Sequence, residues 1–429
     1  MKACLIAVGS EMLTPLRADT NSIAVTELLN EIGYDVRLKV VVGDDLQEVT
    51  RVFESALEWA DLIVSTGGLG PTEDDLTRDA VARMLQLPFE LNEDILERIR
   101  SRFARRGIVM PDNNRRQAMV PRGAEILDNP NGTAPGLWLT HGKTAIVLLP
   151  GPPREMTPMF REVVRDRLAP AAGGARLLRR VIRITGRAES EVDAKAQALY
   201  ARWSALSPPI MTTILAVMGQ IELHLAARAR DTPAVLRSLD AAVNDLRETL
   251  GTSIYSTDER TLEMIVGELL TERHLTIATA ESCTGGLLMS RLTDVPRSSN
   301  YVDRGVICYS NQAKVEMLGV PQKLIDRHGA VSEPVALAMA GGVRTLARTN
   351  AGVGITGIAG PGGGSAEKPV GMVCIAVIGD GPAHVRTFQF LGGRAMIKFQ
   401  ATQSALNMVR LMLLGDEAPE WAERKPPLQ

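Results

Sequence analysis

Four residues of this chain, Ser282, Tyr309, Lys314 and Arg394, have the types and settings that covalent chemistry needs. Ser282 lies in HLTIATAESCTGGLLMSRLTD (residues 274–294). There an apolar run, Leu275-Thr276-Ile277-Ala278, breaks into Glu281-Ser282-Cys283-Thr284-Gly285-Gly286, and a helical pattern follows with Leu287, Leu288, Arg291 and Leu292 on one face. A buried strand, a small polar turn and a helix bring hydroxyls and backbone N–H groups to a positive helix end, where an anion or oxyanion is held. A serine hydroxyl needs a base to become a nucleophile. His274, His328 and His384 all lie outside the polar turns of this half. Lys314, in Tyr309-Ser310-Asn311-Gln312-Ala313-Lys314, is the better candidate, because a desolvated lysine loses its proton readily. Tyr309 is placed to relay or orient that proton. Backbone N–H groups near Thr284–Gly286, or in the loop Thr356–Gly360, are candidates for an oxyanion hole. Arg394, opening the last helix, suits a phosphate. The residues alone describe a serine/lysine hydrolase acting on a phosphorylated small molecule.

A second group of chemistry-bearing residues sits near the other end. Three strand-like segments finish in Gly9-Ser10-Glu11, Gly43-Asp44-Asp45 and Thr66-Gly67-Gly68-Leu69-Gly70-Pro71-Thr72-Glu73-Asp74-Asp75. In the last, glycines let backbone amides approach a phosphate while Asp74 and Asp75 can hold a bridging divalent metal. The same residues also suit a glycine-rich turn in which Thr72 caps a helix with an acidic first turn. A fourth strand end, Pro150-Gly151-Pro152-Pro153-Arg154-Glu155, can face the same crevice.

The elements that must position these groups alternate. Strand-like runs at Ala3–Val8, Asp35–Val42, Asp61–Ser65 and Ala145–Leu149 are separated by helical patterns, which predicts a parallel sheet with ligands at its carboxyl edge. Residues 85–125 read as helices, with Arg98, Arg100, Arg102, Arg105 and Arg106 on a solvated face. An Ala/Pro/Gly stretch near residue 170 reads as a linker. Residues 175–255 show an α+β pattern without clustered catalytic residue types. A second α/β pattern follows, with strands at 305–309, 351–355, 371–378 and 384–390 and a closing helix at 394–414. The expected organisation is 1–170, 175–255 and 258–415, with a disordered tail at 416–429.

Composition narrows the function classes. A chain of 429 residues exceeds one ordinary core. With 48 Lys+Arg against 50 Asp+Glu, it lacks the basic excess of a nucleic-acid binder, and aromatics at 4% supply few stacking platforms. Four scattered cysteines without a C-x-x-C pair read as small apolar filler. No leader and no run long enough to span a membrane are evident. The expectation is a soluble, cytoplasmic protein that binds neither nucleic acid nor membrane.

TAESCTGG (Thr279–Gly286), YSNQAK (Tyr309–Lys314) and GITGIAGPGGG (Gly354–Gly364), together with STGGLGPTEDDLTRDAVA (Ser65–Ala82), NNRRQA (Asn113–Ala118), NPNGTAPG (Asn129–Gly136) and LPGPPREM (Leu149–Met156), resemble the CinA (competence/damage-inducible protein A) family over nearly the whole chain. The resemblance implies two doubly wound αβα domains joined by a small KH-like α+β domain. The N-terminal domain is similar to a molybdopterin-binding domain and the C-terminal one to a nicotinamide-nucleotide amidase. It further implies hydrolysis of nicotinamide mononucleotide to nicotinate mononucleotide and ammonia, without a cofactor. Ser282 would be the nucleophile, Lys314 the base and Tyr309 a helper. Thr284, Gly285, Thr356, Gly357, Ala359 and Gly360 would line the site, and Arg394 would hold the 5′-phosphate. For the N-terminal domain it implies an ADP-ribose pyrophosphatase site built from Glu11, Asp44, Gly67, Gly68, Thr72, Asp74, Asp75, Asn114 and Glu155, with Asp44 and Asp75 on a divalent metal. A homodimer is the family-level expectation. Two positions depart from the family pattern: Ser10 and Gly393 each stand where an aspartate is usual.

Overall fold

A computed structural model describes residues 1–174 and 176–415; the tail at 416–429 lies outside them. The chain is mixed α/β and divides into two compact units: Met1–Leu178 with Ala227–Leu236, and Arg179–Ala226 with the chain from Arg237 on. The middle segment is thus shared between the units. It contains the helices Glu189–Ser204 and Thr232–Leu250 and a four-stranded sheet in the order Met211–Val217, Gln220–Ala229, Arg176–Ile184, Ile254–Ser256.

In the first unit a six-stranded sheet runs in the order Asp35–Val42, Lys2–Val8, Leu62–Thr66, Thr144–Leu149, Gly136–His141, Glu125–Leu127. The first four strands are parallel, Gly136–His141 runs antiparallel to Thr144–Leu149, and Glu125–Leu127 pairs antiparallel with Gly136–His141. Alternation along Lys2–Val8 shows why both faces are covered. Cys4, Ile6 and Val8 pack with Val49, Phe53, Ala80 and Ile95 on one side, while Ala3 and Leu5 pack with Val25, Leu29, Met156 and Phe160 on the other. Residues 85–125, expected to be helical, depart from that reading: the helix Glu93–Ala104 is followed by a 3-10 turn, Asp112–Ala118, and flanked by short paired strands, Phe89–Leu91 and Met119–Pro121. Pro88, Pro111 and Pro121 break any longer helix.

The second unit's main sheet runs Val302–Ile307, Ile277–Glu281, Ala351–Gly357, Met372–Ile378, His384–Gln389. The first three strands are parallel, which places the ends of Ile277–Glu281 and Val302–Ile307 side by side. Helices cover both faces, Leu262–Glu272, Leu287–Thr293 and Arg394–Leu414 on one and Asn311–Leu318 and Glu333–Ala347 on the other. The helix Glu333–Ala347 lies unusually close to the strand Ala351–Gly357. A Cβ on Gly354 would stand 2.2 Å from the Ala336 carbonyl oxygen and 2.7 Å from the Ala340 nitrogen. Gly354→Ala is therefore expected to destabilise the protein by about 3 kcal/mol, measured by urea denaturation, because backbone cannot yield as a side chain does.

Among the described residues no helix is long and apolar enough to cross a membrane. All four cysteines are free and buried, as apolar filler should be.

Candidate active site

The strand Ile277–Glu281 delivers Ser282 to the sheet's carboxyl edge, where its N–H donates to the Ile355 carbonyl at 3.0 Å. The turn that follows has Gly285 and Gly286 at φ +63° and +93°, a left-handed course that glycine takes without strain. Glu281 then fixes the turn from below. Its buried carboxylate accepts from the N–H groups of Gly286 (3.0 Å), Leu288 (3.1 Å) and Met289 (2.8 Å). The positive end of helix Leu287–Thr293 is therefore already neutralised by a side chain of the protein and is not open to a substrate anion. That revises the sequence expectation. The Gly286 amide is committed to Glu281, and the Gly285 amide donates to the Ser282 carbonyl at 3.1 Å. The Cys283 and Thr284 amides donate to no oxygen among the described residues, and the buried Thr284 hydroxyl also has no partner.

Lys314 arrives from the neighbouring strand. Val302–Ile307 ends at Cys308-Tyr309, and Ser310 caps the helix Asn311–Leu318 by accepting from the Ala313 N–H at 3.0 Å. This sets Lys314 in the helix's first turns, pointing back under the strand end. Lys314 is 1% exposed, and its amine lies 3.0 Å from Ser282 Oγ, 3.0 Å from the Cys308 carbonyl oxygen and 3.2 Å from that of Tyr309. Burial pushes its pKa below the ordinary lysine value. The neighbouring thiol of Cys283 is pushed up to about 12, chiefly by burial, so it stays protonated and does not compete with Ser282 as a nucleophile.

The remaining residues expected here separate into rim and scaffold. Tyr309 gives Lys314 its carbonyl rather than its phenol. Its ring is 63% exposed and its hydroxyl accepts from Arg394 Nη2 at 3.2 Å, so a phenolic relay between Ser282 and Lys314 is not in place. Arg394 also donates to the Gly360 carbonyl at 2.8 Å, tying the glycine-rich loop to the last helix. Thr356 donates its hydroxyl to the Ala330 carbonyl at 2.8 Å and so braces the loop from behind. Ala359 packs in the core, Gly357 is crowded by Val373, and Gly360 turns at φ +73° against Val370. None of these three is in hydrogen-bonding contact with Ser282. The two carbonyl partners of Lys314 and the Glu281 clamp were not legible from residue type.

In the first unit the parallel strand ends do gather Gly9, Gly43, Gly67 and Gly151. The Gly67 amide donates to the Leu149 carbonyl at 3.0 Å, and a Cβ on Gly67 would meet the Val8 carbonyl at 2.1 Å. Gly68 lies against Thr77, whose hydroxyl donates to the Gly67 carbonyl at 2.8 Å. Behind the loop, Arg78 is almost fully buried, donates to the Gly70 carbonyl at 3.2 Å and leaves Nη1 without a partner. The acidic residues do not converge with it. Asp44 accepts from the Ser10 N–H at 2.8 Å, Asp75 accepts from the Thr72 N–H at 2.8 Å and from its hydroxyl, and Asp74 is exposed. Glu11 folds over Gly9. Asn114 bonds Gln117 at 2.9 Å, and Glu155 accepts from Asn129 at 2.9 Å. Among the described residues no group of three or more His, Cys, Asp or Glu is arranged to hold a metal ion. As they stand, Asp44 and Asp75 do not fit a divalent cation.

Two α/β units, one carrying a buried serine–lysine pair at its sheet edge and the other a glycine-lined strand edge, define the class of protein. Residues 259–413 match the description "CinA C-terminal domain" and residues 4–170 match "Probable molybdopterin binding domain". A CinA-like protein of Koribacter versatilis is 44% identical over 418 residues, covering 96% of this chain and 100% of the relative. One from Acidobacterium capsulatum is 41% identical over 418 residues, covering 96% and 100%. The crystal structure of a competence/damage inducible protein from Agrobacterium tumefaciens is 43% identical to this chain; the match covers 36% of this chain and 94% of that one, with a TM-score of 0.35. The chain belongs to the CinA family.

Proposed function

We propose that the second unit is an amidohydrolase that converts nicotinamide mononucleotide and water into nicotinate mononucleotide and ammonia. The observation that carries this reading is the 3.0 Å contact between Ser282 Oγ and a buried Lys314 amine. A neutral amine has two N–H donors and one lone pair. Lys314 Nζ faces three oxygens, Ser282 Oγ and the Cys308 and Tyr309 carbonyls; once the amine is neutral, its two hydrogens go to the carbonyls and its lone pair accepts from the Ser282 hydroxyl. In this reading the two carbonyls hold the neutral amine in the orientation a base needs.

In the proposed sequence Ser282 Oγ attacks the carboxamide carbon while its proton passes to Lys314. The negative charge that develops on the carbonyl oxygen is stabilised by the amides of Cys283 and Thr284, neither of which donates to an oxygen among the described residues. Collapse of the intermediate breaks the C–N bond, and Lys314 returns the proton to the departing nitrogen, releasing ammonia. Lys314 then deprotonates a water that hydrolyses the acyl ester and restores Ser282. No metal or redox step is required. For the first unit we infer nucleotide binding at the glycine-lined strand edge, and no cleavage step is assigned to it.

The test is to incubate the full-length protein with nicotinamide mononucleotide and, separately, ADP-ribose, following ammonia and identifying products. Stoichiometric ammonia and nicotinate mononucleotide are expected. Intact nicotinamide mononucleotide after prolonged incubation would sink the amidase reading.

A further inference from the structure

The closing helix Arg394–Leu414 presents Arg394 and Lys398 one turn apart, on neighbouring positions of the same face. Arg394 stands close enough to the nucleophile's turn to act electrostatically on Cys283. Lys398 reaches the same turn. Its Nζ lies 3.6 Å from the point a Cβ on Gly285 would occupy, over a stretch of backbone that carries no side chain. The ammonium is half-buried and has no carboxylate or carbonyl partner among the described residues, and the helix's first turn contains no acidic residue. The buried hydroxyl of Thr284, the residue before Gly285, is likewise unpartnered among the described residues. Arg394, by contrast, spends two of its donors on Gly360 and Tyr309. A partly buried cation at the Gly285 backbone, with an unpartnered hydroxyl in the same turn, is a configuration that an anionic ligand completes.

We propose that Lys398 is a substrate-binding residue that, with Arg394, holds a terminal phosphate monoester and makes the site selective for mononucleotides. The proposal rests on the amidase reading for the identity of the substrate but not for the subsite itself. A monoester near neutral pH carries close to two negative charges and three acceptor oxygens. The bridging phosphates of a dinucleotide each carry one charge and no terminal oxygen set. Two cations one helical turn apart match the former. Gly285 is part of the same device, because any side chain there would project toward the ammonium.

Two measurements on the full-length protein test it. The first is turnover of nicotinamide mononucleotide against nicotinamide riboside, which lacks the phosphate. In Lys398→Ala the preference for the phosphorylated substrate, as a ratio of kcat/KM, is expected to fall roughly tenfold through KM, the loss of one charge-assisted contact. Lys398→Arg should recover most of it. The second is calorimetric binding of ribose 5-phosphate, which needs no turnover. Wild type should bind it and Lys398→Ala should bind it about tenfold more weakly, with a melting temperature matching wild type since Lys398 has no partner to lose. If wild type releases no ammonia but Lys398→Ala still weakens ribose 5-phosphate binding, the amidase reading fails and the phosphate subsite stands. If wild type does not bind ribose 5-phosphate, or Lys398→Ala binds it as wild type does, the subsite is overturned whatever the enzyme's activity.

Discussion

Replacing Ser282 with alanine is expected to lower the rate of ammonia release from nicotinamide mononucleotide by roughly 10⁴-fold or more, the scale on which nucleophile deletions act in serine hydrolases. The change removes one oxygen from a position 7% exposed and leaves the Ile355 contact, which uses the backbone, untouched. Folding should therefore survive, and binding of the product mononucleotide should be close to that of wild type. This pairing makes the experiment decisive. Mass spectrometry of the wild type trapped at short times should show an acyl adduct on the 274–294 segment that the variant lacks. Undiminished turnover by a folded Ser282→Ala protein would remove Ser282 from the mechanism. Cys283 is no substitute, because its thiol remains protonated.

Lys314→Met should be nearly as damaging, lowering kcat by about 10³- to 10⁴-fold, the upper range for loss of a positioned general base. Methionine fills most of the lysine volume but leaves the Cys308 and Tyr309 carbonyls without a donor, which costs stability of about 1–3 kcal/mol. The pH profile separates chemistry from stability. In the wild type kcat/KM should rise with pH as Lys314 loses its proton, then level off below the ordinary lysine value of about 10.4, because burial lowers the pKa. The variant's residual rate should lack that limb. The stability effect has a definite sign. Between the lowered folded pKa and the ordinary unfolded one, the unfolded chain binds more protons, so the native state gains stability as pH rises through that window. A wild-type profile that is flat, or that falls across this range, would argue against a neutral Lys314.

Much of this architecture was legible in the sequence because it rests on short-range signals. The apolar run before Ser282 and the Gly67-Gly68 turn are each set by residues within a few positions. Strand alternation with helices predicted the parallel part of the first sheet, while the antiparallel strands that complete both sheets do not follow from it. The pairing of Ser282 with Lys314 was inferable only as chemistry seeking a base; their 3.0 Å contact depends on two adjacent parallel strands whose register no local pattern encodes. What was not legible was direction. Tyr309 has the right residue type for a proton relay, yet its phenol turns outward to Arg394 while its carbonyl faces Lys314. Thr356 likewise faces Ala330. Asp44 and Asp75 carry the charge a metal needs, but each is engaged by its own loop, Asp44 through Ser10 and Asp75 through Thr72. The helical reading of 85–125 holds for Glu93–Ala104, which carries Arg98, Arg100 and Arg102, and not for its flanks, where Pro88, Pro111 and Pro121 stop the helix.

The Glu281 clamp also bears on where the length of this chain can change. One carboxylate spans from the end of a strand to three amides beginning five residues later, and the nucleophile sits inside that span. A residue inserted between 281 and 289 would shift at least one amide out of reach and turn Ser282 away from the amine in the same stroke. The exposed stretch 361–367 carries no such double attachment, so an insertion there leaves the Ser282–Lys314 contact alone. Variation in loop length among proteins built on this plan should therefore concentrate in the second loop, and the spacing from Glu281 to Met289 should behave as a fixed measure.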